Sequence, residues 1–173
     1  MDGCLLARNR SNGLTLQGHD ADGGSELMNC TVADNGSYGL YKFTGNNSGL
    51  KVRNSVIAHN ATGVYAGTTG SFEWRYTLFD NPIDEYYHAK DCPTSGMTDS
   101  CITGKPVCFK GGTDVNKAYR LTAESPAVKA GSWDIYPWDG ITPTLDLDGI
   151  AFKRKLDMGC YLGPQPGLKV LVR

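Results

Sequence analysis

The sequence predicts an all-β protein, a right-handed parallel β-helix (solenoid) of about four rungs with an irregular C-terminal capping segment. First, a pattern built around an asparagine recurs along the chain at steps of 26, 25 and 21 residues. Repeats with a period of 20–50 residues are typical of solenoids, propellers and arrays. Second, the chain holds 22 glycines in 173 residues and has no amphipathic helical stretch of ordinary length. Third, the small or aliphatic positions of the pattern lie two residues apart, so a strand directs both to one side.

The repeated unit is clearest in CTVADNGSYG, which begins at Cys30. The asparagines of the four units are Asn9, Asn35, Asn60 and Asn81. One asparagine per turn would allow the side-chain amides to hydrogen bond to one another along the stack. The residues three positions before them, expected to form one interior column, are Leu6, Val32, Ile57 and Leu78. The residues five positions before them, expected to point the same way, are Cys4, Cys30, Ser55 and Tyr76.

A glycine follows the asparagine in three units, at Gly13, Gly39 and Gly63. We expect these glycines to supply a positive φ angle at a corner of the coil. The residue before the asparagine varies between Arg8, Asp34, His59 and Asp80. Such variation indicates an outward surface position and not a catalytic one.

The chain length fits one domain. Residues 1–109 are expected to form the rungs, with a cysteine-containing insertion at about 82–109, and residues 110–173 the capping segment of the same domain. Within that segment, Ser125 and Pro126 predict one short helical turn that ends at Gly131. A turn at Asp148–Gly149 and a last strand at 156–162 follow.

Composition excludes several classes of partner. The net charge of −1 gives no reason to expect binding to nucleic acid or to an anionic membrane. No apolar run approaches the 18 residues of a membrane-spanning helix. The start of the chain lacks the pattern of a signal peptide. An extracellular or cell-surface location is expected if the chain is cut from a longer secreted protein, and a cytoplasmic one if it is complete.

The six cysteines do not require three disulfides. Cys4 and Cys30 hold the same inward position and are expected to be free, stacked core residues. Any disulfide is expected among Cys92, Cys101 and Cys108. No C-x-x-C pair supports a zinc site.

No metal ligand set is predicted. His19, Asp20 and Asp22 lie in an Asp- and Gly-rich loop at 17–26, but their spacing does not match a calcium-binding loop. A solvated turn, in which Asp bonds its own backbone, explains the loop better.

Two groups of residues could serve a carbohydrate site. Asp84, Glu85 and His88 lie together in the insertion, where they could act as acid, base and substrate anchors in a sugar cleft. The alternative, which we favour, is a polar loop that packs back on the rungs. Trp133, Tyr136 and Trp138 could stack on sugar rings or, as we favour, plug the open end of the coil.

The C-terminal part carries a more specific pattern. It reads YRLTAESPAVKAGS from Tyr119 and then TLDLDGIAFKRKLDMGCYLG from Thr144. These blocks resemble the closing segment of the choice-of-anchor Q proteins, and the rungs resemble the β-helix of many bacterial surface and polysaccharide-degrading proteins. The matching positions are Tyr119, Leu121, Ser125, Pro126, Ala127, Ala130, Gly131, Asp146, Asp148, Gly149, Arg154, Asp157, Gly159 and Tyr161. Lys129, Cys160 and Leu162 depart from the family pattern.

This resemblance implies the fold more directly than it implies an activity, because the family mixes adhesins, polysaccharidases and proteins without an assigned role. Enzymes of the β-helix type, such as pectate lyases and chondroitinases, work along an outer groove with a Lys or Arg base and, usually, carboxylates that hold calcium against a uronate. The resemblance therefore implies calcium as the one candidate cofactor. The candidates for such a site, which a surface salt-bridge cluster explains equally well, are Lys51, Arg53, Glu73 and Arg75.

The sequence therefore predicts a β-helix binding or structural module with a link to carbohydrate. The alternatives are a small polysaccharide lyase or glycoside hydrolase, and a self-assembling surface or adhesin-type module. Because a bare sheet edge invites pairing with another chain, we also expect a homo-oligomer formed through the first rung.

Overall fold

The computed structural model describes residues 1–17, 24–43, 49–66, 72–81, 100–135, 145–151 and 155–164. Short strands dominate these residues, and the described helix spans one turn. The elements are β1 (Leu5–Ala7), β2 (Leu14–Leu16), β3 (Ser25–Met28), β4 (Thr31–Ala33), β5 (Tyr38–Lys42), β6 (Leu50–Arg53), β7 (Val56–Ala58), β8 (Thr62–Ala66), β9 (Phe72–Arg75), β10 (Leu78–Asp80), β11 (Ile102–Thr103) and α1 (Val115–Ala118).

The strands form three parallel sheets. Sheet 1 has the order β1-β4-β7-β10-β11, sheet 2 the order β2-β5-β8 and sheet 3 the order β3-β6-β9. Every pairing between these strands is parallel. Up to β10, the chain visits the sheets in rotation and returns to the same sheet at every third strand. This all-β, parallel architecture is the one that the repeat predicts.

The interior column of sheet 1 differs from the prediction at its fourth member. The register pairs Leu6 with Val32, Val32 with Ile57 and Ile57 with Phe79. Leu78 pairs with Val56 instead and faces the opposite side of the sheet. The fourth unit has one residue fewer between its strand and its asparagine, which shifts the register by one residue. Because the adjacent residues Leu78 and Phe79 are both apolar, the hydrophobic pattern of the sequence does not reveal this register shift.

The same register shift corrects the neighbouring column. Thr77, and not Tyr76, follows Cys4, Cys30 and Ser55. The Thr77 hydroxyl donates to the carbonyl of Arg75 at 3.1 Å, as the Ser55 hydroxyl donates to the carbonyl of Arg53 at 2.8 Å. The thiols of Cys4 and Cys30 make the equivalent contacts to residues two positions earlier. Tyr76 lies one residue earlier, with a φ angle of 49°.

The asparagine ladder is confirmed. Asn9 Nδ2 donates to Asn35 Oδ1 at 2.8 Å, Asn35 Nδ2 to Asn60 Oδ1 at 2.7 Å, and Asn60 Nδ2 to Asn81 Oδ1 at 3.1 Å. Asn35 and Asn60 also donate to backbone carbonyls, those of Leu6 and Val32. The buried amides therefore link successive turns of the chain.

The repeated glycines serve a different purpose from the one expected. Gly13, Gly39 and Gly63 are not among the residues with positive φ. A Cβ atom at Gly39 would lie 2.6 Å from the carbonyl oxygen of Gly63 and 2.7 Å from Asn60 Nδ2. These glycines are needed because the ladder asparagine of the next turn occupies the space of a side chain.

Sheet 1 is buried on both faces. Its inner face packs into a core cluster with Val32, Ile57 and Phe79, to which Trp74 adds a ring 5.1 Å from that of Phe79. Its outer face is covered by the segment after residue 106, whose buried members include Val107, Leu121, Ala127, Met158 and Cys160. Strands β4 and β7 are therefore uniformly apolar or small, as expected for strands covered on both sides.

The described part of the C-terminal segment is largely irregular. Residues 155–164 form no strand, contrary to the strand predicted at 156–162, although Leu156–Leu162 are buried. Backbone and side-chain hydrogen bonds attach this segment to the sheets. Asn54 exchanges two hydrogen bonds with Ser132, and the Gly159 N–H donates to the Asn54 carbonyl at 2.7 Å. The predicted turn at Ser125 forms as a hydrogen-bonded turn, in which Ser125 Oγ accepts from the Ala127 N–H.

The free thiols of Cys4 and Cys30 agree with prediction. Cys108 and Cys160 are also free. Of the three cysteines among which a disulfide was expected, Cys108 is therefore excluded as a partner, and Cys92 lies outside the described residues. Among the helices of the described residues, none is long and apolar enough to cross a membrane.

Candidate functional site

The site begins at the residue before each ladder asparagine. Arg8, Asp34 and His59 hold this place with φ angles of 57°, 53° and 54°, in the left-handed region that non-glycine residues seldom adopt. Their side chains lie on the outer face at successive turns, so a cation, an anion and an imidazole follow one another along the stack. The same conformation recurs at Asn29, Asn54 and Tyr76, with φ angles of 48°, 48° and 49°, so it belongs to the corners of the repeat.

Arg8 and Asp34 bind the phenol of Tyr119. The Tyr119 hydroxyl donates to Asp34 Oδ2 at 2.7 Å and accepts from Arg8 Nε at 3.1 Å. The other two guanidinium nitrogens of Arg8 donate to the carbonyls of Gly112 and Thr113, at 2.6 and 3.0 Å. The network therefore fixes residues 112–119 against the outer face of sheet 1.

Tyr119 remains neutral over the physiological pH range. Burial raises the pKa of Tyr119 to about 12, and its hydrogen bond to Asp34 adds to the rise. The nearby guanidinium of Arg8 opposes the shift. The hydroxyl therefore acts as a donor that orients the Asp34 carboxylate, because a charged phenolate would have to form beside an anion.

His59 lies between two carboxylates. Its Nε2 is 3.1 Å from Asp80 Oδ2, and its Nδ1 is 3.7 Å from Asp34 Oδ1. Asp80 Oδ2 also accepts from the Val107 N–H at 2.8 Å, which fixes the carboxylate. The ring of Phe109 meets the imidazole edge to face at 5.7 Å, so His59 is held from two sides.

These residues surround an open cavity of about 330 Å³. Apolar groups supply much of its wall, and the polar groups converge from Arg8, Asp34 and His59. Small-molecule sites in proteins combine apolar walls with a few placed polar groups in this manner. The lining residues are Arg8, Asp34, His59, Pro106, Cys108, Phe109, Gly111, Ala118 and Tyr119.

The arrangement offers a small ligand three kinds of contact. Asp34 Oδ1 can accept hydrogen bonds, the half-exposed imidazole of His59 can donate or accept them, and the ring of Phe109 provides an apolar surface. This is the chemistry needed to hold a ring that carries hydroxyl groups on its edge and C–H groups on its face.

The sequence analysis placed His59 on the surface, and the ring is indeed half-exposed. It did not foresee the cavity, since the opposite wall comes from residues 106–119, far away in the sequence. Tyr119 was named only as a position that matches the family pattern, and Phe109 was not predicted to have a functional role. The available signal was the recurrence of charged or titratable residues before the ladder asparagines.

The lyase candidates on sheet 3 do come together. The register pairs Lys51 with Glu73 and Arg53 with Arg75. Arg53 binds Glu73 at 2.9 Å and also Glu26, a partner that the sequence analysis missed, at 3.0 Å. Arg75 binds Glu73 at 2.9 Å. The guanidinium of Arg53 is thus enclosed by carboxylates, as the salt-bridge interpretation expects.

The other candidates are mostly outside the described residues. Asp84, Glu85, His88, Tyr136 and Trp138 fall there, as do His19, Asp20 and Asp22. Trp133 is half-buried, and the neighbouring Ile135 carbonyl accepts from Arg53 at 3.1 Å, so this part of the chain lies beside the sheet 3 cluster.

A separate aromatic surface lies on sheet 2. Tyr41 and Tyr65 stack with their ring centres 4.9 Å apart, and Tyr38 packs against both. The faces that Tyr41 and Tyr65 turn toward each other are therefore not available to a ligand.

Among the described residues, no group of three or more His, Cys, Asp or Glu side chains could hold a metal ion. In comparisons with known proteins, no protein-family model and no curated protein sequence matches the chain. The site must therefore be interpreted from its own geometry.

Proposed function

We propose that the chain is a right-handed parallel β-helix module, related to the choice-of-anchor Q proteins, whose cavity binds a saccharide. The rotation of the chain through three parallel sheets and the asparagine ladder support the fold. One observation supports the function, namely the cavity that is lined by the ring of Phe109 and by the exposed side chains of Asp34 and His59. A volume of about 330 Å³ suits one or two sugar rings and not a long stretch of polymer.

The sheet 3 cluster offers less to a saccharide. Its central cation, Arg53, already has Glu26 and Glu73 as partners, so a uronate would have to displace one of them. The cavity, in contrast, leaves Asp34 Oδ1 and the edge of His59 open to a ligand.

A binding screen tests the proposal. Wild-type protein is titrated with neutral, amino and uronate mono- and disaccharides, with and without calcium, while the products are assayed for bond cleavage. We expect saturable binding without turnover. Turnover would identify the alternative, a small lyase or hydrolase, and the absence of binding to every sugar would contradict the proposal.

Matched variants locate the site. Phe109→Ala removes the ring that faces His59, whereas Phe43→Ala removes an exposed ring beside the sheet 2 tyrosines. We expect the first change to weaken sugar binding roughly tenfold, because it deletes the stacking surface. The second change should leave binding unaltered, and the melting temperatures of both variants verify that they fold.

A second proposal concerns assembly. Residues 1–3 pair with β3, and in the described part of the chain no strand pairs with the outer edge of β1 or β2. Leu14 and Leu16 are only half-buried there, while Leu40, the partner of Leu14 on the next turn, is 1% exposed. We propose that a second copy covers this edge in a two-fold dimer. Light scattering on wild type and Leu14→Lys tests it, and a wild-type monomer at high micromolar concentration would contradict it.

A further inference from the structure

The charges around the cavity are not balanced. Asp34 and Asp80 contribute two carboxylates, and Arg8 contributes the one guanidinium that lines the cavity. The three nitrogens of this guanidinium already donate to Tyr119, Gly112 and Thr113. Three of the five N–H groups of this guanidinium are therefore committed to the protein, and the two carboxylates outnumber the one guanidinium.

Asp34 presents an oxygen to the cavity. Its Oδ2 accepts from Tyr119, while its Oδ1 lies 3.7 Å from His59 Nδ1, which is beyond hydrogen-bonding distance. The Asp34 side chain is 41% exposed. Asp80 differs, because its Oδ2 bonds both the Val107 N–H and His59 and the residue is not among those that line the cavity.

The aromatic wall complements this carboxylate. Phe109 is half-buried and stands between the imidazole of His59 and the ring of Tyr119, with ring-centre distances of 5.7 and 5.3 Å. The guanidinium of Arg8 already lies over the ring of Tyr119, 5.5 Å from its centre, so Phe109 is the ring of this wall that a positive ligand group would approach. Aromatic faces attract cations.

We propose that the cavity selects a cationic saccharide, an amino sugar whose free ammonium group binds Asp34. The inference rests on the proposed function and narrows its ligand class. The ammonium takes Asp34 Oδ1, the sugar ring lies against Phe109, and the hydroxyl groups bond His59. Uronates are disfavoured, because their carboxylate would lie beside Asp34 and Asp80.

The test compares four sugars of similar size at a pH where the amine is protonated: methyl glucosaminide, methyl N-acetylglucosaminide, methyl glucoside and methyl glucuronide. We expect wild-type protein to bind the free amine roughly two- to fivefold more tightly than the neutral sugars, as a partly exposed ion pair allows, and the uronate least. Asp34→Asn should abolish this preference, so that the variant binds the free amine no more tightly than the methyl glucoside. Glu124→Gln removes one negative charge at an exposed residue outside the cavity and should keep the preference.

Salt provides a measurement that needs no variant. Raising the ionic strength to about 1 M should weaken binding of the free amine and leave that of the methyl glucoside almost unchanged. Equal affinity for amine and glucoside, or a preference that survives Asp34→Asn, would overturn the inference and leave the saccharide site standing. Putrescine binding as tightly as the amino sugar would overturn the assignment to a sugar. If no sugar binds, the proposed function fails together with the inference.

Discussion

At the scale of the residue, the asparagine ladder was predictable and its supporting glycine was misinterpreted. The asparagine recurs once per turn, and each one bonds the asparagine of the next turn, so the repeat in the sequence identifies both partners. The glycine serves an adjacent turn, since a Cβ at Gly39 would meet Asn60 and the backbone of Gly63. Such a contact between turns leaves no local signal. The one-residue slip at Leu78 was hidden for a similar reason, because Leu78 and Phe79 are interchangeable in a hydrophobic pattern.

Replacement of Asn35 tests the ladder. Asn35 is 2% exposed, and its amide bonds Asn9, Asn60 and the Leu6 carbonyl. We expect Asn35→Ala to lower the free energy of unfolding by roughly 1–3 kcal/mol, because it leaves buried partners unsatisfied. Urea unfolding provides the measurement. Asn116→Ala, at an exposed position in α1, should change it by less than about 0.5 kcal/mol. Equal free energies of unfolding for the two variants would contradict a stabilising role of the ladder.

The thiols differ in their expected reactivity. Burial raises the pKa of the Cys30 and Cys160 thiols to about 12, and both side chains are fully buried. Cys108 is half-buried and lines the cavity. Because the thiolate is the reactive form, iodoacetamide should label Cys108 in the native protein at about pH 8 and leave Cys30 and Cys160 unmodified. Peptide mass mapping reads the result, with urea-unfolded protein as the control. Native labelling of Cys30 at the rate of Cys108 would show that the interior is open.

At the scale of the element, the strands of the repeat were predictable and the C-terminal segment was not. The pattern that predicts the strands occurs several times, so a strand that is ambiguous in one unit can be assigned from the other units. The described residues between 107 and 162 belong to no repeat, and most of their buried side chains lie in irregular backbone held by single contacts such as those of Asn54 and Tyr119. Periodicity cannot reveal this kind of packing, which explains why the strand predicted at 156–162 is absent.

Alkaline pH tests the attachment at Tyr119. The pKa of Tyr119 is raised from 10.0 to about 12 in the folded protein, so its stabilising contribution is complete below pH 10.0 and is lost as the pH rises through about 12. In urea unfolding, Tyr119→Phe should lose roughly 1–2 kcal/mol at about pH 8 and should show a smaller further loss at about pH 11 than wild type. Tyr65→Phe, at a half-buried ring on sheet 2, serves as the matched control. An identical loss for wild type and Tyr119→Phe between the two pH values would contradict the role of the phenol.

At the scale of the whole molecule, the proposed saccharide site is a cavity that no single stretch of sequence describes. One wall consists of the positions before the ladder asparagines, and the other consists of residues 106–119. The sequence could predict that Arg8, Asp34 and His59 share an outer face. It could not predict that another part of the chain covers that face, since the covering segment has no repeat of its own. The same separation explains why the candidates Lys51, Arg53, Glu73 and Arg75, chosen from a local cluster, lie on sheet 3 and not at the cavity.

The most direct test of the saccharide site is a nuclear magnetic resonance titration of wild-type protein, labelled with ¹⁵N, against the tightest-binding sugar of the screen. We expect saturable changes in chemical shift, all fitted by one dissociation constant, at the backbone amides of His59, Phe109, Gly111 and Tyr119. Changes confined to the sheet 2 tyrosines or to the residues around Arg53, with the cavity amides unmoved, would contradict it.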